Sequence, residues 1–455
     1  MQPKPSRRMF LEGVGLAAGV GAALGPGAPA TAEEPARRPK VAALASTYFY
    51  LSHAYHIVGR FLDGFPVHDA GPGKTPQEYL HKPPFEIARL YIEQVADDSD
   101  LGRAKAARHG VRLSPTIADA LTLGTGKLAV DAVLLIAEHG DYPINEKQQK
   151  LYPRHAYFRQ AMDVFRASGR AVPVFVDKHL SYSRAEAADM VAQSRELKVP
   201  LMAGSSLPIT WRLPELEIPL GRAFQEVVVA SRGNLEIFGF HALEVLQCMA
   251  ERRDLRGKPQ GVAAVTYLEG DAVWEAGDKG VWSWELLSHA LGRSHTVNPG
   301  DPRRNTLDFK RPGVRDRETI PDRPVAFVVD YVDGLRGTVL ILNGHVDDTT
   351  VAVRTVDGSG RETIASTLTY LPAPPGASFF NPLVLRIEDF FRAGAPPYPV
   401  ERTQLSGGIL DAALESRIRG HGRIETPDLA AIDYQAPADS GYIRSSLTDP
   451  TPNRI

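Results

Sequence analysis

The chain has 455 residues, 43% hydrophobic and 23% charged, which excludes a disordered polymer and gives enough length for two or three separate cores. Its formal net charge of -2 argues against nucleic acid or an anionic membrane surface as partner. Cys248 is the only cysteine, so an intramolecular disulfide and a cysteine-rich metal site are both excluded.

The first segment reads as an export signal. Ser6-Arg7-Arg8-Met9-Phe10-Leu11 has the form of a twin-arginine motif, and Ala30-Thr31-Ala32 has the small residues of a cleavage site. The apolar stretch between them, 14–24, is too short and too rich in glycine to span a membrane. Residues 1–32 are expected to be a signal peptide and 33–39 a linker. The mature protein is then expected in the periplasm or outside the cell.

From residue 40 strand and helix patterns alternate. Short apolar runs at 41–45, 90–96, 129–137, 172–176 and 199–203 predict strands, with helices over 52–62, 100–109, 154–168 and from Ser183 onward. The run 129–137 is almost continuously apolar, as in a strand buried on both faces. Asp98 or Ser99 can cap the second helix. Ser183 and Glu186 have capping-box spacing, because each can satisfy a backbone donor beside the other. This rhythm predicts a doubly wound, Rossmann-like α/β domain over 40–205. After it, strands are predicted at 226–231, 261–269, 324–332, 338–343 and 349–355 without regular crossover helices. They indicate an α+β domain over 206–455 with a mostly antiparallel open sheet. Helices are predicted at 235–251, 381–393 and 408–419, and Asn343-Gly344 predicts a hairpin turn.

The chemistry gathers after the strands. Asp177-Lys178-His179 follows one apolar run and Glu138-His139-Gly140-Asp141 another, at the sheet edge where ligands of such domains bind. Lys178 is either a surface cation paired with Asp177 or a desolvated acid–base group. His241 can be a general base or acid near neutrality, or a satisfied core histidine. Glu244, one helical turn on, can orient it. Glu138, His139 and Asp141 can line a crevice or ligate a metal, the crevice being favoured because a third or fourth ligand is not evident. Trp211-Arg212 suits stacking on, and hydrogen bonding to, a sugar, or packing between domains. His345 precedes Asp347 and Asp348 in the expected turn, and His53 and His56 flank the turn after the first strand.

In their order these fragments resemble the Gfo/Idh/MocA oxidoreductase superfamily. Val130-Asp131-Ala132-Val133 is similar to its strand entering the nucleotide crevice, and Asp177-Lys178-His179 stands where it usually has Glu-Lys-Pro. His241-Ala242-Leu243-Glu244 resembles its His-x-x-Asp helix, and 387–392 with 412–417 resemble its closing segments. The resemblance implies a Rossmann domain holding NAD or NADP, an α+β domain carrying a sugar-like substrate, and a sheet that can pair in a homo-oligomer. It implies catalytic roles for Lys178, for His241 and for an acid beside it, for which Glu236 is the candidate, and a cofactor crevice formed by Ser46, Thr47, Asp97, Glu138 and His139. Asp141, Trp211, Arg212 and Glu244 would face the substrate.

Two departures bear on this. The glycine-rich turn is replaced by Ala45-Ser46-Thr47-Tyr48-Phe49-Tyr50-Leu51-Ser52. The acid expected four residues before the histidine is Ile237, with Glu236 one residue off, a rotation of about 100° on a helix. Two functions therefore stand open. One is an exported oxidoreductase acting on a sugar, cyclitol or related polyol with tightly bound NAD(P). The other is a cofactor-free carbohydrate-binding protein, or a non-redox lyase or hydrolase, metal-dependent in one form.

Overall fold

The structure, a computed structural model, describes residues 37–67, 80–310, 320–372 and 377–444. The expected signal peptide over 1–32 and residues 33–36 of the expected linker lie outside these ranges.

The first sheet is built from β1 (Lys40–Ala45), β4 (Glu86–Ile92), β5 (Arg112–Leu113), β6 (Ala132–Ile136), β7 (Val174–Asp177) and β8 (Leu201–Gly204), with a small antiparallel pair of β2 (Phe65–Pro66) and β3 (Leu80–His81) between β1 and β4 in the chain. The sheet runs β5-β4-β1-β6-β7-β8 with every pair parallel. Counted in chain order, that is the Rossmann arrangement 3-2-1-4-5-6, whose switch point lies between β1 and β6. Alternation along β1 explains the layering. Val41, Ala43 and Ala45 face a core shared with α1 (His53–Asp63), while Ala42 and Leu44 face α3 (Ile117–Thr122), α4 (Arg154–Ser168) and α5 (Arg184–Glu196). The helix α2 (Gly102–His109) lies on the α1 side.

Several boundaries move. The strand expected at 90–96 ends at Ile92, because Val95 is exposed and the chain turns at Ala96, whose carbonyl accepts from Asp100. Neither Asp98 nor Ser99 caps α2; the Asp100 carboxylate, one residue before the N-cap Leu101, accepts from the backbone of Gly102 and Arg103 at 3.0 and 3.1 Å. Ser183 accepts from Glu186 at 3.5 Å, but the Glu186 carboxylate turns to Ser181 instead of closing the capping box.

The second sheet has eight strands: β9 (Trp211–Leu213), β10 (Ala223–Ser231), β11 (Val262–Glu269), β12 (Val325–Tyr331), β13 (Arg336–Ile341), β14 (Thr349–Val356), β15 (Glu362–Tyr370) and β16 (Ile424–Glu425). The order is β16-β11-β12-β13-β10-β14-β15-β9, antiparallel except for the parallel pair of β10 and β13. Because β10 lies between β13 and β14, Asn343-Gly344 does not close a hairpin; the chain crosses over instead. Asn343 holds this corner by accepting from Gly233 at 2.7 Å and donating to Gly233 at 3.1 Å.

Helix α6 (Ile237–Ala250) and helix α10 (Val400–Ile418) cover one face of this sheet through Phe240, Leu243, Ile409 and Ala413. The other face carries α7 (Asp271–Asp278) and α8 (Trp284–Leu291), with Trp274, Trp282 and Leu286 packed on Val228, Ala326 and Leu340. Helix α9 (Phe380–Ala393) returns to the first sheet and packs Phe380, Val384 and Phe391 beside α1. No helix of the described residues is long and apolar enough to cross a membrane.

The fully buried pair of Arg402 on α10 and Glu251 at the end of α6 ties these helices together, with Nε donating to the carboxylate at 2.9 Å and Tyr434 donating to it at 2.8 Å. Replacing Glu251 by Ala leaves a buried guanidinium without its counter-charge. Urea unfolding should show a loss of roughly 3–5 kcal/mol. A change below about 1 kcal/mol would contradict the role given to this pair.

Candidate functional site

Three loops leave the carboxyl ends of β1, β6 and β7 through residues that are not glycine yet have left-handed backbone. These are Leu51 at φ 68°, His139 at φ 69° and Lys178 at φ 64°. Such conformations are uncommon for residues with a Cβ and gather where a side chain must be aimed. All three residues line the same cavity of about 520 Å³ between the first sheet and the second.

Lys178 is 3% exposed, and its ammonium donates to Glu138 Oε1 at 2.6 Å. The other oxygen of Glu138 pairs with Arg154 at the start of α4. Arg154 lies 4.8 Å over the Tyr152 ring and reaches the imidazole of His179. Burial opposes ionisation of Glu138, but Lys178 and then Arg154 hold its carboxyl well below the usual range. Glu138 is therefore a fixed anion between two cations, and it keeps the Lys178 ammonium at the edge of the cavity.

The histidines behave in the opposite sense. Burial pushes His139 down to about 3, and His56 down to about 4 with help from Arg60. Burial, and then the Lys178 charge, hold His241 well below neutrality. These imidazoles are neutral at pH 7, each with one donor and one acceptor nitrogen. His53 Nδ1 stands 2.6 Å from Asp177 Oδ2, a close contact without hydrogen-bond alignment. Around this point lie His139 Nε2, His241 Nδ1, Ser205 Oγ and Asp177 Oδ1, all buried and all without a hydrogen-bond partner. Their residues line the cavity. Such atoms are costly to bury unpaired, so their concentration here marks a place built for polar ligand groups.

The other expected residues lie elsewhere. Ile237, not Glu236, lines the cavity four positions before His241. Glu236 accepts from the Lys150 backbone at 3.0 Å, and burial pushes it up to about 7. Glu244 does not orient His241: it accepts from Ser205 N at 2.6 Å and from the Thr403 hydroxyl at 3.0 Å, fastening β8 to α6 and α10. Arg212 donates to the carbonyls of Leu216 and Pro208 beneath Tyr442, and its neighbour Trp211 pairs with Tyr370 in the sheet, so both belong to packing. Asp141 is exposed, its backbone exchanging hydrogen bonds with the Gln94 side chain. His345 bonds Asn305 at 3.0 Å, and the cavity is lined instead by Asp347 and Asp348 beyond it. Among the described residues, no group of three His, Cys, Asp or Glu side chains is arranged to hold a metal ion.

Residues that sequence reasoning missed include Arg154, Arg232 and Phe380. Arg154 had no local signal, and its partner Glu138 is 16 positions away. Phe380 arrives from a distant helix and stacks on His56 at 4.6 Å.

The turn after β1 can be tested against a pyrophosphate, which needs free backbone donors and close approach. It does not fit in that way. Tyr48 is buried in the core beneath α1, and Ser52 Oγ already accepts from Phe49 and Tyr55 at 3.2 and 3.1 Å. Ser46 Oγ donates to the Glu138 carbonyl at 2.7 Å, bridging the switch point. Thr47 is buried, and neither Ser46 nor Thr47 lines the cavity. Asp97 is 98% exposed beside Arg103, five residues past the end of β4, and does not reach the crevice.

A scan against models of known protein families finds no match, and a search of curated proteins finds no match in sequence. Solved structures are similar in overall form. The myo-inositol dehydrogenase of Lactobacillus casei, in complex with NAD(H) and myo-inositol, has 11% identity and a TM-score of 0.48, covering 86% of this chain and 97% of its own. The WlbA dehydrogenase of Bordetella pertussis, with NADH and UDP-GlcNAcA, has 13% identity and a TM-score of 0.46, covering 86% and 99%. The aldose-aldose oxidoreductase of Caulobacter crescentus, complexed with glycerol, has 14% identity and a TM-score of 0.44, covering 86% and 100%.

Glu236 gives a pH signature of this region. Its unfolded value is 4.5 and its folded value about 7. Between them the folded chain keeps a proton that the unfolded chain has lost, so stability falls as pH rises through that window. Glu236→Gln should reduce the stability difference measured by denaturant at pH 5 and pH 8. An unchanged difference would show that Glu236 is not the protonated group.

Proposed function

We propose that this chain is an oxidoreductase-type enzyme acting on one hydroxyl of a small polyhydroxylated substrate, a sugar, cyclitol or related polyol, and that it works after export. The observation that carries the reading is the meeting of Lys178, His139, His241, Asp177 and Ser205 at the carboxyl ends of the first sheet, in one cavity. The twin-arginine pattern supports export.

Each group has a distinct capacity. The Lys178 ammonium, oriented by Glu138, can donate to a substrate hydroxyl oxygen and stabilise negative charge as it develops there. Neutral His241, with Nδ1 unpartnered, can accept the hydroxyl proton. Ser205 and His139 offer further hydrogen bonds that fix the ring. Low polarity strengthens these interactions relative to water.

NAD or NADP is the redox partner in this reading, because this strand order seats dinucleotides at its switch point and the similar dehydrogenases named above carry NAD(H) or NADH. When bound, it supplies a hydride acceptor. With Tyr48 and Ser52 placed as they are, its phosphates would have to be held without a glycine cradle. That same observation favours a second reading, acid–base chemistry on a carbohydrate without a dinucleotide, by the same lysine and histidine.

Nucleotide content separates the two. Protein purified after export is denatured and its supernatant analysed by absorbance and mass, with NAD and NADP added to a second sample in a calorimeter. The first reading expects released or bound dinucleotide, and its absence from both would leave the second. Under either, Lys178→Ala should lower turnover of an identified polyol by about 10²–10⁴ while the folded circular-dichroism signal persists. Turnover within about twofold of the parent would remove Lys178 from the chemistry.

A further inference from the structure

The cavity is larger and more apolar than recognition of a hydroxylated ring requires. Its polar pole is formed by Asp177, Lys178, Ser205, His139 and His241. An apolar part of the wall comes from separate segments, Phe238 at the start of α6, Leu371 after β15, and Phe379, Phe380 and Leu383 around the start of α9, while Arg232, His295, Asp347 and Asp348 add polar groups to the rest of the lining. Phe238, Leu371 and Phe379 are only partly buried. A sugar or cyclitol carries hydroxyls around its rim, and these lose hydration when pressed on apolar side chains. An apolar group covering the same surface gains about 25 cal/mol per Å² instead. At about 520 Å³ the cavity also falls in the range that encloses drug-sized ligands.

The apolar wall is formed in advance. Arg232 lies 4.5 Å over the Phe238 ring and pairs with Asp347 at 2.9 Å, which fixes that ring from one side. Phe380 is fixed by its stacking on His56 at an interplanar angle of 15°. Pre-formed aromatic surfaces bind flat groups with little ordering cost.

We propose that the substrate has two parts, a hydroxylated ring at Lys178 and His241 and an aromatic substituent against Phe238, Leu371 and Phe379. Its class is an aryl glycoside or an aryl-substituted polyol. This rests on the polyol reading given above. The aryl group supplies affinity and register, while chemistry stays on the ring.

Calorimetric titration of the purified full chain with matched methyl and phenyl glycosides of common hexoses tests the proposal. For any sugar that binds, the phenyl form should bind at least about tenfold tighter, or about 1.4 kcal/mol. Phe379→Ala, and separately Phe238→Ala, should bring the ratio of the two affinities toward one. Equal affinities in the parent chain, or a ratio untouched by both variants, would overturn the two-part substrate and leave the polyol reading standing. Binding of neither methyl nor phenyl forms would overturn both.

Discussion

Glu138 sits between Lys178 and Arg154 with only 2% of its surface exposed, and the arrangement of the site follows from that pairing. Removing three charges from water costs several kcal/mol per ion, and attraction repays it only when geometry is good and every group is engaged. Here the geometry comes from the sheet. Strands β6 and β7 are adjacent and in register, so the residues just beyond them are brought side by side, and α4 begins close enough to supply Arg154. Left-handed backbone at His139 and Lys178 then turns both side chains toward the cavity. Lys178 and Arg154 hold Glu138 ionised against its burial, whereas burial first, and then the Lys178 charge, keep His241 neutral. One buried anion thereby holds in place the lysine whose charge helps keep the histidine neutral.

The crevice at the switch point has a different character. Rossmann topology ordinarily leaves the β1 turn open for phosphates. Here Ser46 bonds across to the loop after β6, Gln94 exchanges hydrogen bonds with Asp141, and Tyr48 enters the core. The open volume lies instead beside α1, α6 and α9, among neutral histidines and aromatic rings. The ligand chemistry of the chain is therefore best described from this cavity and its side chains, with the strand order setting only where the strand ends point.

Much of the first sheet was legible because strands buried on both faces are nearly continuous apolar runs, as at residues 132–136. Lys178 was legible as a charge at a strand's end, and His241 through the resemblance of its helix to a His-x-x-Asp pattern. The misreadings have physical sources. Val95 and Ala96 look like strand but lie in an exposed turn, which took Asp97 away from the sheet edge. Asn343-Gly344 looks like a hairpin because turn chemistry is local, whereas the insertion of β10 between β13 and β14 is not. Helices α7 and α8 have eight residues each, too short for a clear periodic signal, and were not predicted, yet they cover one face of the second sheet. Glu244 and Arg212 looked like ligand groups because their partners, Thr403 at 159 positions' distance and Tyr442 on the closing segment, cannot be seen locally.

The central claim is that Lys178, aimed by Glu138, is the point at which substrate hydroxyls are engaged. A crystal structure of the protein soaked with the tightest-binding polyol or glycoside measures this directly. The predicted result is a ligand hydroxyl about 3 Å from Lys178 Nζ and a second one within hydrogen-bond reach of His241, with the Lys178–Glu138 pair intact. A ligand held elsewhere on the molecule, or one in the cavity whose hydroxyls avoid Lys178, would contradict it.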